Sequence, residues 1–201
     1  MYVYIFRYLK FKFKFRNSEA EELLELLFKV GVNPSSDTLK SLLLMFYSSK
    51  NYQQVLINFD RYLEKNFTPD EETWSLIISS NCRLGKIQEG IAILDRLIAL
   101  GIKPSVSMHN SILDALVRKN SDHEKVRDFW MRMHLDDIEL SKESFTIMLK
   151  FCSNTREAER AFFYMDEMRG YSLLPDALTF VALFRACAEA PHWVILLTTN
   201  Y

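Results

Sequence analysis

A register of prolines constrains this chain more than any other feature. Pro34, Pro69, Pro104 and Pro175 stand 35, 35 and 71 residues apart, and Leu140 divides the long interval into 36 and 35. Five residues past each point comes a ring or a large apolar residue: Leu39, Trp74, His109, Phe145 and Phe180. Three and four residues further on come Leu42/Leu43, Ile77/Ile78, Ile112/Leu113, Met148/Leu149 and Leu183/Phe184. That spacing puts all three positions on one helical face. The other half of each unit repeats as well, with apolar pairs three apart: Leu24/Leu27, Phe59/Tyr62, Leu94/Leu97, Trp130/Met133 and Met165/Met168. Four residues before each pair lies a small or β-branched residue (Ala20, Val55, Gly90, Val126, Ala161), which lets a neighbouring helix approach. Each unit therefore predicts two antiparallel helices closed by a proline turn, because proline lacks an N–H and cannot continue a helix. Gly31 and Gly101 stand three residues before Pro34 and Pro104, where helices commonly end in a left-handed conformation.

A helix pair this small cannot bury its apolar faces alone, and stacking on neighbours completes the core. The sequence thus predicts an all-α fold, an α-solenoid of stacked helix-turn-helix repeats over residues 19–190. Its full units are 36–70, 71–105, 106–141 and 142–176, with partial units at both ends. The extra residue of 106–141 falls in the polar stretch Lys119–His123, where a loop tolerates it. Composition agrees. Only five glycines and five prolines argue against a turn-rich all-β chain, and 49% hydrophobic with 25% charged residues excludes disorder. No apolar run approaches the ~20 residues of a membrane span, so no membrane partner is expected. Residues 191–201 form an apolar tail that breaks the repeat, and a truncated longer array explains it better than a cap.

The net charge of −1 hides an asymmetry. Residues 1–18 carry Arg7, Lys10, Lys12, Lys14 and Arg16 and no acid, which leaves the remainder at 20 basic against 26 acidic residues. A basic, acid-free start suits a mitochondrial targeting segment. The alternation of Lys10 to Phe15 has a strand's period rather than a helix's, which counts against an amphipathic presequence; the competing interpretations are a half-formed first helix or an ill-determined chain start.

The stretch Thr73-Trp74-Ser75-Leu76-Ile77-Ile78, continuing through Asn81-Cys82-Arg83-Leu84-Gly85-Lys86-Ile87-Gln88-Glu89-Gly90 to Gly101-Ile102-Lys103-Pro104-Ser105, resembles a pentatricopeptide (PPR) repeat. That family's pattern runs roughly T-Y-N-x-L-I, C-x-x-G-x-x-x-E-A and G-x-x-P-D. The stretch from Met165 to Phe180, with Leu174-Pro175-Asp176-Ala177-Leu178-Thr179, is similar. The tetratricopeptide signature cannot be placed in register. The resemblance implies a right-handed solenoid that binds single-stranded RNA, one base per repeat. It also implies the readers: the residue after the helix aromatic and the residue after the proline that closes the same unit. Carried over, these are Lys40 with Asp70, Ser75 with Ser105, Asn110 with Ser141, and Thr146 with Asp176. Thr146/Asp176 implies guanine and Asn110/Ser141 a pyrimidine, whereas Ser75/Ser105 is ambiguous. Lys40/Asp70 is unusual for a reading pair and would equally be explained as an ion pair. Arg83 and Arg118 fall where the family contacts the RNA backbone.

Two residues past each reader at the turn, the family places an aliphatic that sandwiches the base. Here those places hold Asp37, Glu72, Ser107, Glu143 and Leu178. Carboxylates there repel phosphate and offer no stacking surface, which predicts weak RNA affinity or a share of protein-binding or spacer units. Rival chemistries fare poorly. His109 stands at an aromatic position, and His123, His134 and His192 have no second ligand at metal spacing, so neither a metal nor a cofactor is expected. Cys152 and Cys187 are 35 apart, the repeat interval, which marks buried equivalents rather than nucleophiles. The three cysteines supply no disulfide framework. No zinc-deaminase or phosphate-loop motif occurs.

The expected function is sequence-selective binding of single-stranded organellar RNA in support of processing, stability or translation, without catalysis. The mitochondrion is placed ahead of the plastid. The alternative is an interaction scaffold in an RNA-processing or ribosomal assembly, its acidic groove meeting a basic protein. A third, weaker reading is the repeat appendage of an enzyme.

Overall fold

The computed structural model describes residues 35–119 and 122–189. The basic start, the predicted features at Ala20, Leu24/Leu27, Gly31 and Pro34, and the tail from 191 lie outside the described residues, as do His192 and part of the Lys119–His123 loop. The described residues form nine α-helices and no strand. These are α1 (Ser36–Ser48), α2 (Tyr52–Glu64), α3 (Glu71–Arg83), α4 (Ile87–Ala99), α5 (Val106–Lys119), α6 (His123–Leu135), α7 (Lys142–Thr155), α8 (Ala158–Gly170) and α9 (Ala177–Glu189). They divide into two compact units, one up to Lys103 and one from Pro104.

In the first unit α1 packs on α2, α2 on α3 and α3 on α4, and α1 also touches α3. Leu39, Leu42, Leu43 and Phe46 of α1 meet Val55, Phe59 and Tyr62 of α2 and Leu76 and Ile77 of α3 in one core. Burying each such side chain stabilises by about 1.5–3 kcal/mol, before the entropy of ordering it is subtracted. Trp74 sets its edge on Phe59, with ring centroids 5.4 Å apart.

In the second unit α7 is central and contacts α5, α8 and α9. Phe145, Met148, Leu149 and Cys152 are buried on it. Val126 and Ala161 are buried too, and next to them Trp130 presents its edge to Phe145 and to Tyr164. The α9 helix turns Thr179, Leu183, Ala186 and Cys187 inward. Its Phe184, expected in the core with Leu183, is 66% exposed, because it stands on the face turned away from α7 and α8.

Helix ends share a device. Lys50, Asn66, Gly85, Gly101, Asp137, Arg156 and Ser172 follow seven of the helices and all have positive φ, between 51° and 79°. The left-handed residue lets the last carbonyls accept from the following N–H groups: Gly101 N–H donates to Ile98 O at 2.9 Å and Ile102 N–H to Leu97 O at 3.0 Å.

Candidate nucleic-acid interface

The residue after the turn caps the next helix at four of the five described repeat starts. Asp70, Ser141 and Asp176 accept from the backbone N–H three residues on, of Thr73 at 2.9 Å, Ser144 at 3.3 Å and Thr179 at 2.9 Å. Ser35 does the same for Thr38 at 3.3 Å. An N-terminal helix turn has four N–H groups without an internal partner, and a short oxygen-bearing side chain satisfies one of them. The second members of three predicted reading pairs are therefore held rigidly at helix starts.

In the first unit, Lys40 lies on α1 five residues past its cap, and Asp70 opens α3. Lys40 Nζ stands 2.5 Å from Asp70 Oδ2 and 2.6 Å from Glu72 Oε2. Partial burial pushes the Asp70 carboxyl up, but hydrogen bonds from Lys40 and Thr73 outweigh it and hold the carboxyl down to about 2. The two carboxylate hydrogen bonds raise the Lys40 ammonium above its ordinary value. Two of the three ammonium N–H groups are thus taken by carboxylates, the arrangement of an ion pair.

In the second unit, Asn110 of α5 meets the first turn of α7. Its Nδ2 donates to Ser141 Oγ at 3.2 Å and to Glu143 Oε2 at 3.4 Å, and its Oδ1 accepts from Ser144 Oγ at 2.8 Å. Because the Ser144 proton goes to Asn110, the 3.1 Å contact between the two serine hydroxyls is a bond donated by Ser141. Asn110, Ser141 and Ser144 thereby close a ring of hydrogen bonds in which each polarises the next. Asn110 itself is only 3% exposed.

Thr146 and Asp176 are more open. Thr146 donates its hydroxyl proton to Lys142 O at 2.8 Å, one turn back on its own helix. Asp176 is exposed and accepts both Thr179 bonds on Oδ1, leaving Oδ2 without a hydrogen bond among the described residues. Those bonds hold its carboxyl below the usual range.

Ser75 stands half-buried on α3 in the first unit, and Ser105 precedes α5 in the second. The Ser105 carbonyl takes Met108 N–H at 3.1 Å and His109 Nδ1 at 3.0 Å. Arg83 and Arg118 are exposed at the ends of α3 and α5. Arg118 Nε binds Asp114 Oδ2 at 2.9 Å, and Lys150 Nζ binds Asp114 Oδ1 at 3.2 Å. Two cations thus share the Asp114 carboxylate, one from α5 and one from α7. Sequence reasoning missed Lys150, although it lies four residues past Thr146 and so on its helical face.

Other reactive groups are quiet. Burial pushes the Cys152 thiol up to about 12, out of reach of thiolate chemistry. Among the described residues no His, Cys, Asp and Glu side chains gather into a metal-holding group, and no helix is long and apolar enough to cross a membrane.

Comparison with known proteins places these features among relatives. The family model described as PPR repeat matches residues 72–102, and the one described as pentatricopeptide repeat domain matches 129–190. Pentatricopeptide repeat-containing protein At4g21170 of Arabidopsis thaliana is 24% identical over 169 residues, covering 83% of this chain and 28% of the relative. Pentatricopeptide repeat-containing protein At2g18520, mitochondrial, of the same plant is 24% identical over 83% of this chain and 40% of its own length. The chain thus spans well under half of either relative. Among solved structures, the pentatricopeptide repeat protein PPR10 in complex with an 18-nt psaJ RNA element aligns with a TM-score of 0.71 at 16% identity, over 98% of this chain and 28% of that one. The PPR domain of Arabidopsis thaliana protein-only RNase P 1 in complex with tRNA gives 0.67 at 16% identity, over 85% and 89%. At that identity the likeness is one of fold, an all-α array of helical hairpins.

Proposed function

We propose that this chain, which belongs to the pentatricopeptide repeat family, is a non-catalytic array that binds single-stranded RNA in an organelle and supports processing, stability or translation of a transcript. The observation that carries the reading is convergence. Asn110 and Ser141, predicted from the repeat register to act together although 31 positions apart, meet as side chains. In this reading Thr146 and Asp176 present a hydroxyl and a free carboxylate oxygen to a guanine edge, and Asn110, oriented by Ser141, meets a pyrimidine. Arg83, Arg118 and Lys150 supply cations for phosphate. A mitochondrial location is supported by the basic first 18 residues and by the mitochondrial relative.

Fluorescence anisotropy of the full chain with a randomised single-stranded RNA pool, at two salt concentrations, tests the reading. Three phosphate contacts should weaken binding with a slope of about −2 in log affinity against log salt. Selected RNAs should carry a guanine beside a pyrimidine, and Thr146→Ala should relax the choice of guanine. Absence of salt-sensitive binding refutes RNA recognition and favours a basic protein partner, to be sought by pulldown.

A further inference from the structure

Glu72 and Glu143 occupy one place in the repeat, two residues past the caps Asp70 and Ser141. Each closes on the first reader of the preceding repeat: Glu72 Oε2 on Lys40 Nζ at 2.6 Å, and Glu143 Oε2 on Asn110 Nδ2 at 3.4 Å. The same place beside Thr146 and Asp176 holds Leu178, which is 71% exposed and accepts nothing. Around Asn110 the ring with Ser141 and Ser144 takes one N–H and engages Oδ1. The one N–H that can turn to a ligand without breaking that ring is the one held by Glu143, across the longest bond of the set.

We propose that the residue two past each cap decides whether a repeat reads a base, so that Glu143 holds the Asn110 site shut and Leu178 leaves the Thr146/Asp176 site open. The proposal rests on the RNA reading above. A carboxylate is a stronger acceptor than a base carbonyl, so the base must displace it before Asn110 can donate. It also occupies the place where an aliphatic side chain would lie against the base face. At Leu178 neither obstacle exists. The first unit shows the same closure in ionic form, where Asp70 also holds Lys40, so Glu143 is the cleaner site to test.

The test uses the full chain and fluorescein-labelled single-stranded RNAs, each with one guanine in a uridine or an adenosine background, at fixed low salt. Glu143 is exposed on the second residue of α7, so Glu143→Leu should keep the fold. It should tighten binding to the uridine-background RNA by about tenfold, the worth of one base contact, with little change for the adenosine background. Glu143→Gln removes the charge but keeps an acceptor for Asn110, and should recover only a small part of that gain. Asn110→Ala should abolish the gain. Independently of RNA, the Asn110 side-chain amide protons should exchange faster in Glu143→Leu by nuclear magnetic resonance. An equal gain in Glu143→Gln would reduce the effect to phosphate repulsion and overturn the gate. So would wild-type binding that Thr146→Ala weakens but Glu143→Leu leaves unchanged. If no protein in the set binds RNA in a salt-sensitive way, the RNA reading fails and the gate fails with it.

Discussion

Replacing His109 by Phe should stabilise the protein, and by more in acid than at neutral pH. The His109 side chain is fully buried, and its Nδ1 lies 3.0 Å from the Ser105 carbonyl. A carbonyl only accepts, so Nδ1 carries the proton and the neutral ring turns a bare lone pair outward at Nε2. That nitrogen is buried with no hydrogen-bond partner. Its facing acid, Asp136, stands 4.0 Å away and is engaged by Arg132 Nε at 3.2 Å. An orphaned buried acceptor costs about 1–3 kcal/mol. Burial lowers the His109 pKa below 6.5; Arg132 adds to this, while the Ser105 bond and Asp136 oppose it. The unfolded chain therefore takes up a proton that the folded chain refuses. Stability is fully present above pH 6.5 and is lost as pH falls below it, by at most about 1.4 kcal/mol per unit. The Phe variant removes both penalties. It creates no new orphan, since Ser105 O keeps the N–H of Met108. Crowding against Phe129, whose ring centroid is 6.1 Å from that of His109, offsets about 1 kcal/mol. Urea unfolding followed by far-ultraviolet circular dichroism should show a gain of about 1 kcal/mol at pH 7.5 and about 2 kcal/mol at pH 5.5. A gain identical at both pH values, or a loss at both, refutes the reasoning.

Gly85 has φ +79° and open space around an added Cβ, so Gly85→Ala should cost about 1–2 kcal/mol through the backbone alone, read by thermal melting. The reverse exchange at Arg156, φ 59°, should be neutral or gain up to about 1 kcal/mol by the same measurement. Cys152 should resist iodoacetamide at pH 8 in the folded protein and react in urea, as read by mass spectrometry, because burial holds its thiol at about 12. Asn110→Asp cannot donate to Ser141 and sets a second carboxylate against Glu143; it should cost about 3 kcal/mol in urea unfolding at pH 7.5 and less in acid, where the new carboxyl is protonated.

The sequence made the helix starts legible because a short oxygen-bearing residue precedes each of them, and at all but the one after Leu140 it follows a proline that cannot extend the preceding helix. Helices accordingly begin at 36, 71, 106, 142 and 177. Apolar spacing marked the inward faces, and Leu42, Ile77, Ile112, Met148 and Leu183 are all buried. Spacing names a face but not whether anything lies opposite, which is why Phe184 was expected inside and stands outside. Helix ends were only partly visible. Glycine pointed to Gly101, but five non-glycine residues adopt the same left-handed backbone, held there by hydrogen bonds that no local pattern displays. In the site, the repeat register joined Asn110 to Ser141 and Lys40 to Asp70. It read Glu72 and Glu143 as carboxylates facing phosphate. That each turns instead onto a reader 32 or 33 residues earlier is a tertiary contact, invisible until the helices are packed.

The caps show how one side chain can serve both helix and ligand, and why the two sites differ. Asp176 has two oxygens. Oδ1 takes both Thr179 bonds, so Oδ2 can meet a ligand while the cap stays intact. Ser141 has one oxygen. It caps Ser144 N–H, accepts from Asn110 and donates to Ser144 Oγ, which exhausts it. In the proposed reading Ser141 therefore meets no base itself; it orients Asn110. The ring also fixes which end of the amide faces outward. Oδ1 is turned to the Ser144 hydroxyl, so the N–H held by Glu143 is the donor that can swing toward a ligand without breaking the ring, and a base that meets it supplies an acceptor. A pyrimidine carbonyl meets that requirement. The choice between an open and a shut repeat then falls to the next residue that reaches the amide, which here is Glu143.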